Sequence, residues 1–388
     1  MSAKAILNSL SLPKKCALIA LPLLVAFGFL FQQMYVQVNA LISSSQNELA
    51  GAETLEKLNP LFQAMLAARA NKQQESTGEL VSSLRNLKSE LPISWPNTQA
   101  NLDKLVELLP QSLSQNASSE QADALGEHMV TLVRQLADES ELTLDPFLPS
   151  YYMMSPMAFQ LPGVMEYLSD LEGKLRYQDS DVNGTLSFVK SRIGTLKRAL
   201  AEIREAKDKS IAAGGGIPAD AGAQLDIIAR QLNALEKWVD TQSAKDLNYE
   251  ILTDSPEAIK SLADATSASF LLSASLNKAL QDDLRARISG MQGTLMTTGA
   301  ASLAVLLIAF TFGFVVFRNI NTEIAQILAH AKIIGMGDLS KPIDNHGNNE
   351  ISKIRSALEN IRLKQTLLVG EVKDASNRMA DTIGALVS

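Results

Sequence analysis

The residues able to do chemistry are few and scattered. One cysteine, Cys16, stands at the edge of an apolar run, and the three histidines, His128, His330 and His346, lie far apart. A single cysteine excludes a disulfide within the chain, and the histidine spacing offers no clustered metal ligands. There is no glycine-rich phosphate loop, no histidine in a phosphoacceptor setting, and no nucleophile near a base at a motif spacing. The expectation is a protein that is not an enzyme and holds neither cofactor nor metal. Binding chemistry is offered in two places. Arg69 stands in the apolar run Met65-Leu66-Ala67-Ala68-Arg69-Ala70. A guanidinium there can clamp a ligand carboxylate, or lie along the surface as a snorkelling or salt-bridged side chain. Tyr151 and Tyr152 stand among prolines, where they can touch a ligand or simply pack a helix junction.

The elements that must position these residues are helical. The 388 residues are 46% hydrophobic but only 5% aromatic, and strands favour aromatic and β-branched residues. Leu, Ala, Gln, Glu and Lys dominate, and these are good helix formers. The formal net charge of -7 lacks the basic excess of a nucleic-acid binder. The fold class read from this is all-α.

Two uncharged stretches are long enough to cross a bilayer, 16–38 and 295–317. As helices they are about 35 Å long, against a hydrocarbon core of about 30 Å. Lys4, Lys14 and Lys15 precede the first span; Arg318 ends the second, with Lys332 and Lys341 beyond it. Residues 39–294 carry 34 Asp/Glu against 23 Lys/Arg, whereas 318–388 carry 8 against 9. The positive-inside rule then places both termini in the cytoplasm and 39–294 outside a bacterial inner membrane. Val38-Asn39-Ala40 leaves open the alternative that the first span is a cleaved signal sequence.

Between the spans, proline and glycine punctuate helical patterns. Leu41, Leu49, Leu55, Leu58, Leu61 and Leu66 carry a helix out of the first span to about Ser89, stopped by Leu91-Pro92-Ile93-Ser94-Trp95-Pro96. Shorter helices are expected to about Leu109 and from Ser118 to Leu142. Asp145-Pro146 has the form of an N-cap followed by proline at the first helical position. A long run then reaches Ile211, Gly214-Gly215-Gly216-Ile217-Pro218 makes a loop, and a helix covers Ala219 to about Asn248. The last helix follows Ser255-Pro256 into the second span. The expected architecture is an elongated helical bundle, long enough for two bundles stacked along the membrane normal.

The segment Leu142-Thr143-Leu144-Asp145-Pro146-Phe147-Leu148-Pro149-Ser150-Tyr151-Tyr152-Met153-Met154, with Leu161-Pro162 and Leu168, resembles a pattern in helical periplasmic sensor regions of bacterial methyl-accepting chemotaxis proteins. Acidic residues that usually flank the Ser-Tyr-Tyr portion are replaced here by Pro149 and Ser155.

After the second span, Ile320, Ile324, Ile327, Ala331 and Ile334 recur at spacings 4, 3, 4, 3, a coiled-coil seam. Gly335-Met336-Gly337 ends it, Asp338-Leu339-Ser340-Lys341-Pro342-Ile343 is extended, and a second seam runs through Ile351, Ile354, Leu358 and Ile361. Two short amphipathic helices and a connector over 318–366 resemble a HAMP relay domain. Gly337-Asp338-Leu339-Ser340 and Asn349-Glu350-Ile351-Ser352 stand where that family has its connector and second-helix motifs. The resemblance implies a parallel four-helix coiled coil made by two chains, onto which Leu339 and Ile343 pack. Gly337, Leu339, Ile343, Glu350, Ile351 and Leu358 are the relay residues so marked. Residues 367–388 keep the seam rhythm and are similar to the start of a chemoreceptor signalling helix, truncated before the hairpin.

Taken together, these features imply a homodimeric, multi-pass chemoreceptor-type sensor. A small molecule or a periplasmic protein would be read outside, and other chemoreceptors are candidate partners inside. The alternative is a membrane-anchored interaction protein whose coiled coil only dimerises it. A downstream reading frame for the missing hairpin would favour the sensor.

Overall fold

The computed structural model describes residues 12–114, 116–176, 182–243, 256–344 and 349–387. Lys4, His346 and the expected helix end near Asn248 lie outside them. The fold is 90% helical, with no strand among the described residues. The helices are α1 (Leu12–Ala70), α2 (Thr77–Glu90), α3 (Pro96–Ser112), α4 (Ser119–Glu139), α5 (Leu148–Ser155), α6 (Leu161–Arg176), α7 (Val182–Ala212), α8 (Ala219–Ser243), α9 (Pro256–Gly335) and α10 (Glu350–Val387). Helices α1 and α9 each contain a stretch long and apolar enough to cross a membrane. No part of either window is buried within the chain; Leu21, Phe29, Leu303 and Phe310 are all exposed. The chain divides into a central unit, Tyr35–Leu295, and a flanking unit made of Met1–Met34 and Met296–Ser388.

In the central unit, α1 to α4 form one up-down-up-down set. Lys57 meets Glu90, Lys88 meets Asp103, and Ser112 of α3 donates to Gln121 O of α4. Helices α6 to α9 form a second such set, tied by Lys190–Asp240, Arg204–Asp226 and Gln231–Asp264. The two sets lie side by side, not stacked end to end as expected. Ser169 of α6 donates to Leu66 O of α1, and Asn59 of α1 to Phe270 O of α9. One continuous apolar core joins them, from Leu58 and Trp95 through Leu132 and Leu168 to Leu196, Leu232 and Leu280. Each such leucine contributes about 1.5–3 kcal/mol by leaving water. Length alone allows stacking; sharing α1 lets both sets bury their apolar faces in one core.

Two local expectations are also corrected. The helix expected to reach Ser89 stops at Ala70, because Lys72 takes a left-handed turn (φ 47°) and the chain reverses into α2. No proline or glycine marks that turn. Asp145 does not cap a helix starting at Pro146. Its carboxylate accepts from Phe147 N–H at 2.9 Å, and α5 begins at Leu148. Ser118, in contrast, caps α4 in a capping box with Gln121. From Leu148 to Arg176 helical structure continues past Pro156 through a π turn, Pro156–Gln160, a common accommodation where a backbone donor is missing.

Candidate functional site

Arg69 lies at the last turn of α1. Its side chain is 5% exposed and pairs with Glu166 of α6 at 3.1 Å. It also donates to Glu166 O at 3.0 Å and Ala122 O at 3.2 Å. A residue larger than glycine at 126 would collide with this pair: a β-carbon there would sit 2.6 Å from Arg69 Nη1 and from Glu166 Oε1. Burial pushes the Glu166 carboxyl above its usual range, and Arg69 pulls it back. Arg69 borders an open cavity of about 530 Å³ whose wall includes Ser118, Asp123, Asp170, Lys174 and Phe188. Burial also raises the Asp170 carboxyl, opposed by Lys174 3.8 Å away and by Arg69. The Lys174 ammonium rests 3.9 Å over the Phe188 ring. The cavity is large enough for a small metabolite, and its wall offers both signs of charge. Arg69 brings to it a guanidinium already matched by Glu166.

Tyr151 and Tyr152 sit elsewhere. Ser150, beside them, is tied to Arg287 near the second span, not to Arg69. Their rings meet edge to face, 5.6 Å apart at 72°. Tyr151 is exposed and Tyr152 half-buried, with the Lys209 ammonium 5.7 Å from its ring. The structure therefore does not bring the three proposed ligand contacts together.

The motif around the tyrosines holds a second charge cluster, which sequence reading missed. Arg287 of α9 is 10% exposed and reaches Asp145 at 3.0 Å and Glu48 of α1 at 3.3 Å. It also bonds Ser150 and Asp283, the latter at 3.0 Å, and lies 4.0 Å over the Phe147 ring. Asp145 and Glu48 are 0% and 2% exposed. The sequence signal for it is the four-residue spacing of Asp283 and Arg287, which places them as neighbours on one helix.

In the flanking unit, the end of α9 is a glycine-terminated cap. Gly337 has φ 87°, a conformation that favours glycine. Its N–H donates to Ile334 O, and Asp338 N–H to Ile333 O, satisfying the last carbonyls of α9. Asp338 then accepts from Ser340 N–H and Oγ, which holds its carboxyl below the usual range. Ile343 is 7% exposed, and Leu339 is half-buried. The connector is fastened by a pair that the motif reading did not mark. Glu359 of α10 accepts from Ile343 N–H at 2.9 Å, while Arg362 chelates Glu359 and donates to Leu339 O at 2.6 Å. These bonds lower the Glu359 carboxyl to about 2, the Arg362 contacts contributing most. Asn349 caps α10 by accepting from Ser352 N–H at 2.8 Å. Glu350 is exposed, and Ile351 and Leu358 are half-buried. Further seam residues, Ile324, Ile354, Ile361, Leu368 and Val372, are 36–68% exposed. Comparisons with protein-family models, characterised proteins and solved structures return no match.

Proposed function

We propose that the chain is a dimeric transmembrane sensor of the chemoreceptor type. Residues 39–294 read a periplasmic stimulus, two helices cross the bacterial inner membrane, and 318–366 act as a HAMP-type relay on its cytoplasmic side. The observation that carries this reading is the combination of a fastened connector and an unsatisfied seam. Glu359 and Arg362 hold Leu339 and Ile343 against α10, yet Ile354, Ile361 and Leu368 on the same helix stay exposed. An apolar stripe of that period is buried by another helix with the same stripe, and a second copy supplies one. The two membrane-length helices and the Lys14, Lys15 and Arg318 flanks support the membrane assignment. The cavity beside Asp170 and Lys174 is the place for a small molecule.

Cysteine cross-linking in native membranes tests the reading, in a Cys16→Ala background. Ile324→Cys and Leu358→Cys are expected to cross-link between copies far more than Asn360→Cys, which is exposed and lies roughly opposite the seam. Equal cross-linking at all three positions removes the parallel dimer and the relay with it.

A further inference from the structure

Three carboxylates gather around one guanidinium where α1 and α9 approach their apolar stretches, and a fourth, Glu141, lies close enough to Glu48 to act on its charge. Glu48 comes from α1. Asp145 and Glu141 come from the segment joining α4 to α5, and Asp283 shares α9 with Arg287. The Ser150 hydroxyl of α5 faces the same point. The carboxylates are not equally served. Asp145 takes two contacts from Arg287, at 3.0 and 3.4 Å, and the Phe147 N–H besides. Glu141 takes the Ser44 hydroxyl at 2.5 Å. Glu48, 2% exposed, is reached only by Arg287 Nη1 at 3.3 Å among the described residues. A buried carboxylate so weakly held, with three other acids near it, is favoured in its neutral form.

We propose that Glu48 is a proton-binding site and that the Glu48–Asp145–Arg287 cluster is a proton-responsive lock between α1 and α9. When Glu48 is ionised, Arg287 is shared between α1 and the α4–α5 segment. When Glu48 takes a proton, its charge is lost and Arg287 is held by Asp145, Asp283 and Ser150 alone. The proton thus chooses whether the guanidinium ties α9 to α1. Burial pushes the Glu48 carboxyl up to about 7, with Asp145 adding to the rise and Arg287 opposing it, so the choice falls in the neutral range. The inference goes beyond the sensor reading and stands on the central unit alone.

Linkage fixes the sign. The folded carboxyl titrates above the unfolded one, so folding takes up a proton between pH 4.5 and 7. The stability this contributes is full below 4.5 and is lost as pH rises through 7. Both tryptophans, Trp95 and Trp238, lie in the central unit, so fluorescence melting of the purified full chain in lipid nanodiscs reports on it. Between pH 5 and 8 the wild-type Tm is expected to fall by roughly 5 °C more than that of Glu48→Gln. Spin labels attached after Ser43→Cys and Gln292→Cys, in a Cys16→Ala background, read the lock itself. Their separation is expected to change between pH 5 and 8 with Glu48 present, and not with Glu48→Gln. Should Glu48→Gln fail to fold, Asp283→Asn serves: losing one nearby negative charge lowers the pH midpoint of the label shift. Matching pH profiles in wild type and Glu48→Gln overturn the proposal. So does a label separation that ignores pH in the wild type, or an unmoved midpoint in Asp283→Asn. None of these readouts involves signalling output or dimerisation, so failure here is distinct from failure of the relay.

Discussion

Arg69 and Glu166 bury opposite charges between α1 and α6, and losing one partner strands the other. Arg69→Ala is therefore expected to cost about 3–5 kcal/mol, read as a lowered midpoint in denaturant melts of tryptophan fluorescence. A mutant as stable as wild type would mean the pair is solvated. Gly126→Ala drives a methyl group into the same pair and should destabilise by about 1–3 kcal/mol, although alanine is the better helix former. The sequence drew attention to Arg69 because an arginine interrupts an apolar run. It could not show the partner, which stands 97 residues later and looks like any other surface glutamate. Glu48 was invisible for the same reason. Its neighbours come from α9 and the α4–α5 segment, and only tertiary packing brings them to it.

Elements bounded by chemistry were the most legible. The α2–α3 break follows from Pro92 and Pro96, the helix expected from Ser118 begins there as α4, and the end of the α9 seam follows from Gly335-Met336-Gly337. The reversal after Ala70 was not legible, since Lys72 adopts a left-handed conformation without a residue that advertises it. Gly337→Ala should destabilise the connector by about 1 kcal/mol, measurable as faster amide exchange at Asp338. The connector should also respond to acid. Glu359 titrates near 2 folded and near 4.5 unfolded, so its contribution is present above 4.5 and lost as pH falls toward 2. Exchange protection of the Ile343 amide should fade over that window in wild type and show no such window in Glu359→Gln. Within α10, Leu358→Glu should weaken dimer cross-linking at Ile324→Cys, whereas Asn360→Glu should leave it intact. Ser356 lies off the seam but is half-buried, so the exposed Asn360 is the cleaner control.

For the whole molecule, the two membrane-length helices and the all-helical class were readable from hydropathy and composition; the side-by-side arrangement of the two helix sets was not. Helical periodicity shows which face is buried but not which helix covers it. The topology reading makes its own prediction. Ser119→Cys and Asn360→Cys, each in a Cys16→Ala background, should react oppositely with an impermeant thiol reagent on spheroplasts, the first labelled and the second protected. The reverse pattern would invert the orientation. The polar ties between α1 and α9 carry a further consequence. Asn59 with Phe270 O, Ala52 O with Asn277, Glu56 with Gln281, Glu53 with Arg285 and Glu48 with Arg287 all lie between 2.8 and 3.3 Å. Sliding one helix along the other by a single residue, about 1.5 Å, would carry all five beyond good hydrogen-bond length together. A greased apolar interface would creep; this one has a detent. Whatever motion the two helices share, they should make it as a click between registers rather than as a drift.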